Sequence, residues 1–304
     1  MYKLKENPED FIVKEIANHN LTSQGKYAVC LLKKKEYNTM KAVQRIADTL
    51  KIPVKDIGFA GTKDKKAITE QYISIKGIKK DIIQQIKLGD IELTFKGYSD
   101  KPISLGDLEG NIFTITIRGI TKIKNKKIMP NFFGEQRFSK SNVEIGRLII
   151  KNDYKKALEL IKKTDQKTSI NHPNDVIGSL RSIPFKLLRL YVYAFQSHIW
   201  NEALKKYMKV SDKNIEIPII GFDTEIKDKA VKNILSRLMA KERITFRDFI
   251  NRQIPELSME GNSRRAYVEI KDLRVINKGN DFITIHFALP KGSYATEAIK
   301  VLAD

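Results

Sequence analysis

The sequence predicts an α+β fold in which a helical block interrupts a strand-rich domain. Three observations carry this expectation. Short β-like runs alternate with helix signals over the first 120 residues, the texture turns helical over 142–265, and strands return at 266–270 and 282–287. Helices enclosed between two strand-rich stretches read as an insertion into one domain. The expected division is a split domain of residues 1–151 plus 267–304, with an inserted domain of residues 152–266. A chain of 304 residues can bury a core for each.

The elements follow from local patterns. Phe11-Ile12-Val13-Lys14-Glu15-Ile16 and Tyr27-Ala28-Val29-Cys30-Leu31-Leu32 are strand-like runs. Asn38 can accept from the first free amides of a helix reaching residue 50. Met40, Val43, Ile46, Ala47 and Leu50 form the apolar face expected of that helix. Ile57-Gly58-Phe59-Ala60 reads as a buried strand, followed by the polar loop Gly61-Thr62-Lys63-Asp64-Lys65-Lys66. Further strands are expected at 71–75, 91–95 and 112–117, with a short helix over 79–86. Long helices are expected over 143–161, 185–208 and 228–240. Pro290-Lys291-Gly292-Ser293 is a turn before a final helix ending at Leu302.

Charge narrows the partner. Lysine and arginine total 56 against 36 acidic residues, a formal charge of +20, and the excess is spread over both expected domains. Such a balance favours a polyanion, because cations that neutralise phosphates release condensed counterions. A lysine-rich solvated surface is the plainer alternative. No apolar run approaches the roughly 18 residues of a membrane helix, and the first residues carry no apolar signal core, so a cytoplasmic protein without a membrane partner is expected. The single cysteine, Cys30, excludes an internal disulfide and a cysteine-cluster metal site. His19, His172, His198 and His286 never fall at metal-ligand spacing, so no metal is expected. His198, in an apolar helix, and His286, on an alternating strand, read as structural or surface residues. Neither a phosphate-binding P-loop nor a Gly-x-Gly-x-x-Gly turn is found, which argues against a nucleotide cofactor.

Two segments can carry chemistry. Asp64 stands between Lys63 and Lys65-Lys66 just after an apolar strand, where neighbouring cations favour an ionised carboxylate. In an extended loop those lysines point away, and a solvated turn with Gly61 at positive φ is the plainer alternative. Asn131-Phe132-Phe133-Gly134-Glu135-Gln136-Arg137-Phe138 sets three aromatics beside Asn, Gln and Arg, able to stack on and hydrogen-bond a base. A satellite core explains that cluster equally well.

Read together, these segments resemble the TruD family of tRNA pseudouridine synthases. Gly58-Phe59-Ala60-Gly61-Thr62-Lys63-Asp64-Lys65-Lys66-Ala67-Ile68-Thr69-Glu70-Gln71 is similar to that family's catalytic loop. Asn7-Pro8-Glu9-Asp10-Phe11, the 130–138 segment, Ala194-Phe195-Gln196-Ser197 and Leu289-Pro290-Lys291-Gly292-Ser293-Tyr294-Ala295-Thr296 match its other signatures in order. The resemblance implies a pseudouridine-synthase core with a mixed or antiparallel sheet, interrupted by a mostly helical family-specific insertion. It implies a catalytic aspartate at Asp64. Substrate binding is implied for Phe11, Asn131, Phe133 and Tyr294, with Lys5, Glu9 and Gln71 in the same set. The substrate would be tRNA, with position 13 as the target and another tRNA position or RNA as the alternative; the protein would act as a monomer without a cofactor. Two features depart from relatives: the lysine-rich stretch between Arg118 and Pro130 is short, and the insertion is compact. The rival reading is an RNA-binding protein that performs no reaction.

The chemistry suits this residue set. Isomerising uridine breaks the C1′–N1 bond, turns the base and bonds C5 to the same sugar carbon. One carboxylate can attack C1′ or remove the 2′ proton. No water is added, so the second carboxylate of a glycosidase is not required. The reacting atoms are hidden in stacked RNA, so the nucleotide must be flipped out.

Overall fold

The computed structural model describes residues 2–138, 141–164 and 175–303. The chain divides into two compact units, Met1–Met129 with Glu269–Asp304 and Pro130–Val268. The expected boundary at residue 151 falls inside the second unit, because the helix before it packs on the long helix of that unit.

In the first unit β1 (Phe11–Ile16), β2 (Tyr27–Lys35), α1 (Thr39–Leu50), β3 (Ile57–Phe59), β4 (Ile68–Lys76), α2 (Lys80–Gln84), β5 (Ile91–Ser99) and β6 (Gly110–Arg118) follow the expected order. After β7 (Ile128–Pro130) the chain enters the second unit. There it forms α3 (Asn142–Ile150), α4 (Tyr154–Thr164), α5 (Val176–Arg181), α6 (Phe185–Tyr207), β8 (Glu216–Ile219), α7 (Lys229–Glu242) and β9 (Asn262–Arg265). β10 (Tyr267–Glu269) leads back to β11 (Lys271–Lys278), β12 (Phe282–Pro290) and α8 (Ala295–Ala303).

The first unit is built on one mixed sheet in the order β11-β12-β6-β1-β4-β2-β5, with β3 also on β4. Only β1 and β4 run parallel among the registered pairs; the rest are antiparallel. α1 covers one face with Ala42, Val43, Ile46 and Ala47 against Ala28, Cys30, Leu32, Ile73 and Ile75. Its buried stripe begins at Thr39, and Met40 is exposed, contrary to expectation. Asn38 accepts from the amides of Met40 and Lys41, as the capping pattern requires.

β4 changes neighbour along its length, and this places the candidate loop. Ile68, Thr69 and Glu70 pair with β1, whereas Ile73, Ser74 and Ile75 pair with β3. The connection from β3 back to β4 must leave the sheet where β1 takes over. Gly58 in β3 is required by crowding: a Cβ there would meet Ile103 O at 2.3 Å.

In the second unit α6 is buried on most sides, and α3, α7 and β8 pack around it. A helix apolar over so much of its circumference belongs in a core. The single helix expected over 143–161 is two. Asn152 at φ 58 breaks it, and Asp153 Oδ1 accepts from Lys156 N at 3.3 Å to start the next. His198 is half-buried with its ring edge-on to Phe138, and burial lowers its pKa. His286 lies 3.1 Å from Thr114 Oγ1 across the sheet, and His172 lies outside the described residues.

Candidate active site

Asp64 is carried by the loop expelled between β3 and β4, and buried polar groups fix that loop from several strands. Gln71, fully buried in β4, donates from Nε2 to Gly61 O at 2.9 Å. Its Oε1 accepts from Thr39 Oγ1 at 3.2 Å, and Lys63 N donates to that same hydroxyl at 3.0 Å. Lys63 Nζ reaches Glu15 Oε2 at 2.6 Å and Asn111 Oδ1 at 2.8 Å. Glu15 also accepts from Tyr72 N at 3.2 Å, at the step where β4 passes from one neighbour to the other. Buried amides need partners, and here a side chain substitutes for a strand. Gly61 is not at positive φ, and a Cβ there would meet open space. The loop is therefore held by side chains and not by a glycine turn.

Behind Asp64 lies Lys34, fully buried in β2, whose Nζ donates to Asp64 O at 3.0 Å. Burial lowers its pKa to about 8, the Asp64 charge resisting and Lys63 adding to the shift. In front of Asp64 stands Lys5, with Nζ 2.7 Å from Oδ2. The two side chains remain 23% and 29% exposed, so the carboxylate is reachable from solvent. Lys5 adopts left-handed backbone at φ 58, and its ammonium lies 4.1 Å from the Phe11 ring centre. The short turn Pro8–Asp10 between them is pinned by Asp10, which accepts from Asn7 N and from Arg118 Nε and Nη2. The cation beside Asp64 is thus Lys5, from far away in sequence. The adjacent Lys63 turns inward to Glu15, and Lys65 and Lys66 are exposed.

The structure brings Asp64, Lys5 and Phe11 together and ties Gln71 to their loop. Gln71, expected to bind substrate, is fully buried with its amide spent on Gly61 and Thr39, so it holds the loop instead. Glu9 pairs with Lys35 at 2.6 Å, which lowers its pKa. Tyr294 is half-buried just before α8, its carbonyl accepting from Glu297 N and Ala298 N. Asn131 and Phe133 belong to the second unit. Arg264 donates to Asn131 O at 2.8 Å and Oδ1 at 2.6 Å, and Asn131 Nδ2 donates to Arg265 O. Phe133 is buried with its ring edge-on to Trp200 and the Arg264 guanidinium 4.3 Å from its centre.

The sequence reading missed Lys34, Glu15 and Thr39. Strand parity could have found two of them. Ala28, Cys30 and Leu32 point inward, which puts Lys34 on the same face, and Phe11 and Val13 do the same for Glu15. Among the described residues no group of three or more His, Cys, Asp or Glu side chains is placed to hold a metal ion. None of their helices is long and apolar enough to cross a membrane.

Comparison with known proteins agrees with this architecture. The family model described as tRNA pseudouridine synthase D (TruD) matches residues 2–169 and 206–301. A relative from Aquifex aeolicus named tRNA pseudouridine synthase D is 30% identical over 376 aligned positions, covering 99% of this chain and 97% of the relative. One from Nanoarchaeum equitans carrying the same family name is 31% identical over 379 positions, with 99% and 98% covered. A crystal structure from Methanosarcina mazei bearing the TruD name superimposes with a TM-score of 0.74 at 27% identity, covering 98% of this chain and 92% of the other. The mixed sheet and these matches define an enzyme of the pseudouridine synthase class. Within that class the chain belongs to the TruD family.

Proposed function

We propose that the protein isomerises uridine to pseudouridine in tRNA, at position 13, with Asp64 performing the chemistry. The observation that carries this reading is the carboxylate itself. Asp64 is partly exposed and paired to Lys5, on a loop anchored to the core through Gly61 and Lys63. A reacting group held by packed neighbours needs little rearrangement to meet its target. The family matches supply the reaction and the class of RNA.

The bonds balance without an outside reagent. C1′–N1 breaks and C1′–C5 forms; the proton on C5 leaves to solvent and N1 takes one up. Asp64 serves as the nucleophile at C1′ or as the base at the 2′ carbon. Lys5 stands as its counter-charge, and Lys34 holds its backbone from behind. Phe11 is 2% exposed beneath the Lys5 ammonium, so a base can stack on it only once the lysine swings aside. Tyr294, Glu9, Asn131 and Phe133 complete the proposed substrate-binding set. We further propose a monomer working in the cytoplasm.

The test is tritium release from tRNA labelled at uridine C5, followed by chromatography of the digested nucleosides. Release matched by a pseudouridine peak supports the reading, and mapping the modified residue decides position 13. Tight tRNA binding with no release from any tRNA would favour an RNA-binding protein without chemistry.

A further inference from the structure

The second unit contains a cavity of about 670 Å³. Its wall includes Arg137, Arg189, Tyr193, Phe222 and the ring of Phe133. Two features set it apart from an ordinary surface groove.

The first is unspent hydrogen-bonding capacity. The Nε atoms of Arg137 and Arg189 are both buried and have no hydrogen-bond partner among the described residues. A buried donor left unmade costs free energy, so two from the same wall point to an acceptor that arrives from outside. Arg189 is also held for the purpose. Its guanidinium lies 5.3 Å from the Tyr193 ring centre and 5.7 Å from that of Phe185, and Nη2 donates to Tyr193 Oη at 2.6 Å. A planar guanidinium fixed in this way suits the geometry of a phosphate.

The second is aromatic exposure. Among the described residues the exposed aromatics are Phe185 at 39%, Tyr193 at 37% and Phe222 at 37%. Tyr193 and Phe222 line the cavity, and Phe185 backs Arg189. Exposed rings beside arginines form the platform on which unstacked bases lie. One exposed carboxylate, Glu260, also lines the cavity, so the wall is not uniformly positive and does not suit a polyphosphate.

We infer that this cavity is a nucleotide subsite for the RNA, taking one unstacked base on Tyr193 and Phe222 and its phosphate on Arg137 and Arg189. The inference rests on RNA being the substrate. Asp64 does not line the cavity, and Arg189, unlike Phe133, stands outside the set proposed to hold the reacting uridine, so the loss of Arg189 is read in affinity.

Trp200, the single tryptophan, packs behind Phe133 in this wall and reports on occupancy by its fluorescence. The experiment titrates the full chain with uridine 5′-monophosphate, uridine and inorganic phosphate. The nucleotide should change Trp200 emission and compete with tRNA, while uridine or phosphate alone binds at least about tenfold more weakly. Arg189→Met should abolish that response and raise the KM for tRNA about tenfold. Its single-turnover rate at saturating tRNA should stay within about twofold of wild type. Equal binding of uridine and its monophosphate, phosphate binding as tightly as the nucleotide, or an unmoved KM would each overturn the subsite. Should Arg189→Met fail to fold, the wild-type titration still decides. A protein that shows the nucleotide response but releases no tritium refutes the proposed reaction and leaves the subsite standing.

Discussion

Lys34 offers a sharp physical test because its environment opposes its charge. The ammonium is fully buried, and its pKa falls from 10.5 to about 8. Between those values the unfolded chain keeps the proton and the folded chain has lost it. The unfolded state then binds more protons, so stability rises with pH through this window. Below about 8 both states are charged, and the full penalty of burial is present. A shift of 2.5 between the two values corresponds to about 3 kcal/mol, of which roughly 2.5 is released between pH 7 and about pH 10. Lys34→Met removes the titration while keeping the stem. At neutral pH its stability should lie near wild type, because relief of the buried charge offsets a lost donor and an orphaned Asp64 carbonyl costing about 1–3 kcal/mol. Cys30, the single cysteine, is buried two turns of the pleat away on the same strand, so pulse labelling across a urea series reads the folded fraction of this unit. Wild type should gain about 2.5 kcal/mol over Lys34→Met on going from pH 7 to about pH 10. Parallel pH profiles for the two proteins would refute the claim that Lys34 is buried with its charge.

Other consequences are simpler to state. Glu15→Gln leaves Lys63 facing a neutral amide in a nearly dry site, and should lower stability by about 3–5 kcal/mol in chemical denaturation; a loss near zero would mean the pair is solvated. The formal charge of +20 implies many phosphate contacts, so tRNA affinity should fall with salt on a log–log slope of about −4 or steeper, and a flat titration would contradict it. The isomerisation involves no net oxidation or reduction and adds no water, so turnover should survive chelation on tRNA shown to stay folded. Loss of activity there would mean that the reaction needs a metal after all.

The elements were legible because their signals are local. Asn38 announced α1, and the apolar runs announced β1, β2 and β3 with the loop after them. The site was legible only in part, because its key contacts are long-range. Lys5 and Asp64 are 59 residues apart, and nothing in the sequence next to either predicts their pairing. Nearness in sequence offered Lys63, Lys65 and Lys66 as the cations beside Asp64, yet Lys63 is drawn into the core by the inward-facing Glu15 and the other two are exposed. Lys34 was hidden because the strand was expected to stop at Leu32, which left the following lysines outside its alternation. Continuing the alternation by two residues makes it an inward-facing charge. Gln71 was taken as a substrate contact from its place in the loop motif, whereas burial commits it to the loop backbone.

The account stands or falls on Asp64. Asp64→Asn keeps the size of the side chain and removes the charge that either mechanism requires. Single-turnover tritium release from C5-labelled tRNA, run beside a binding titration and a melt, separates chemistry from affinity and stability. The account predicts a rate reduced by several orders of magnitude, with tRNA affinity within about tenfold of wild type and little change in melting. An Asp64→Asn protein that releases tritium at a rate comparable to wild type would contradict it.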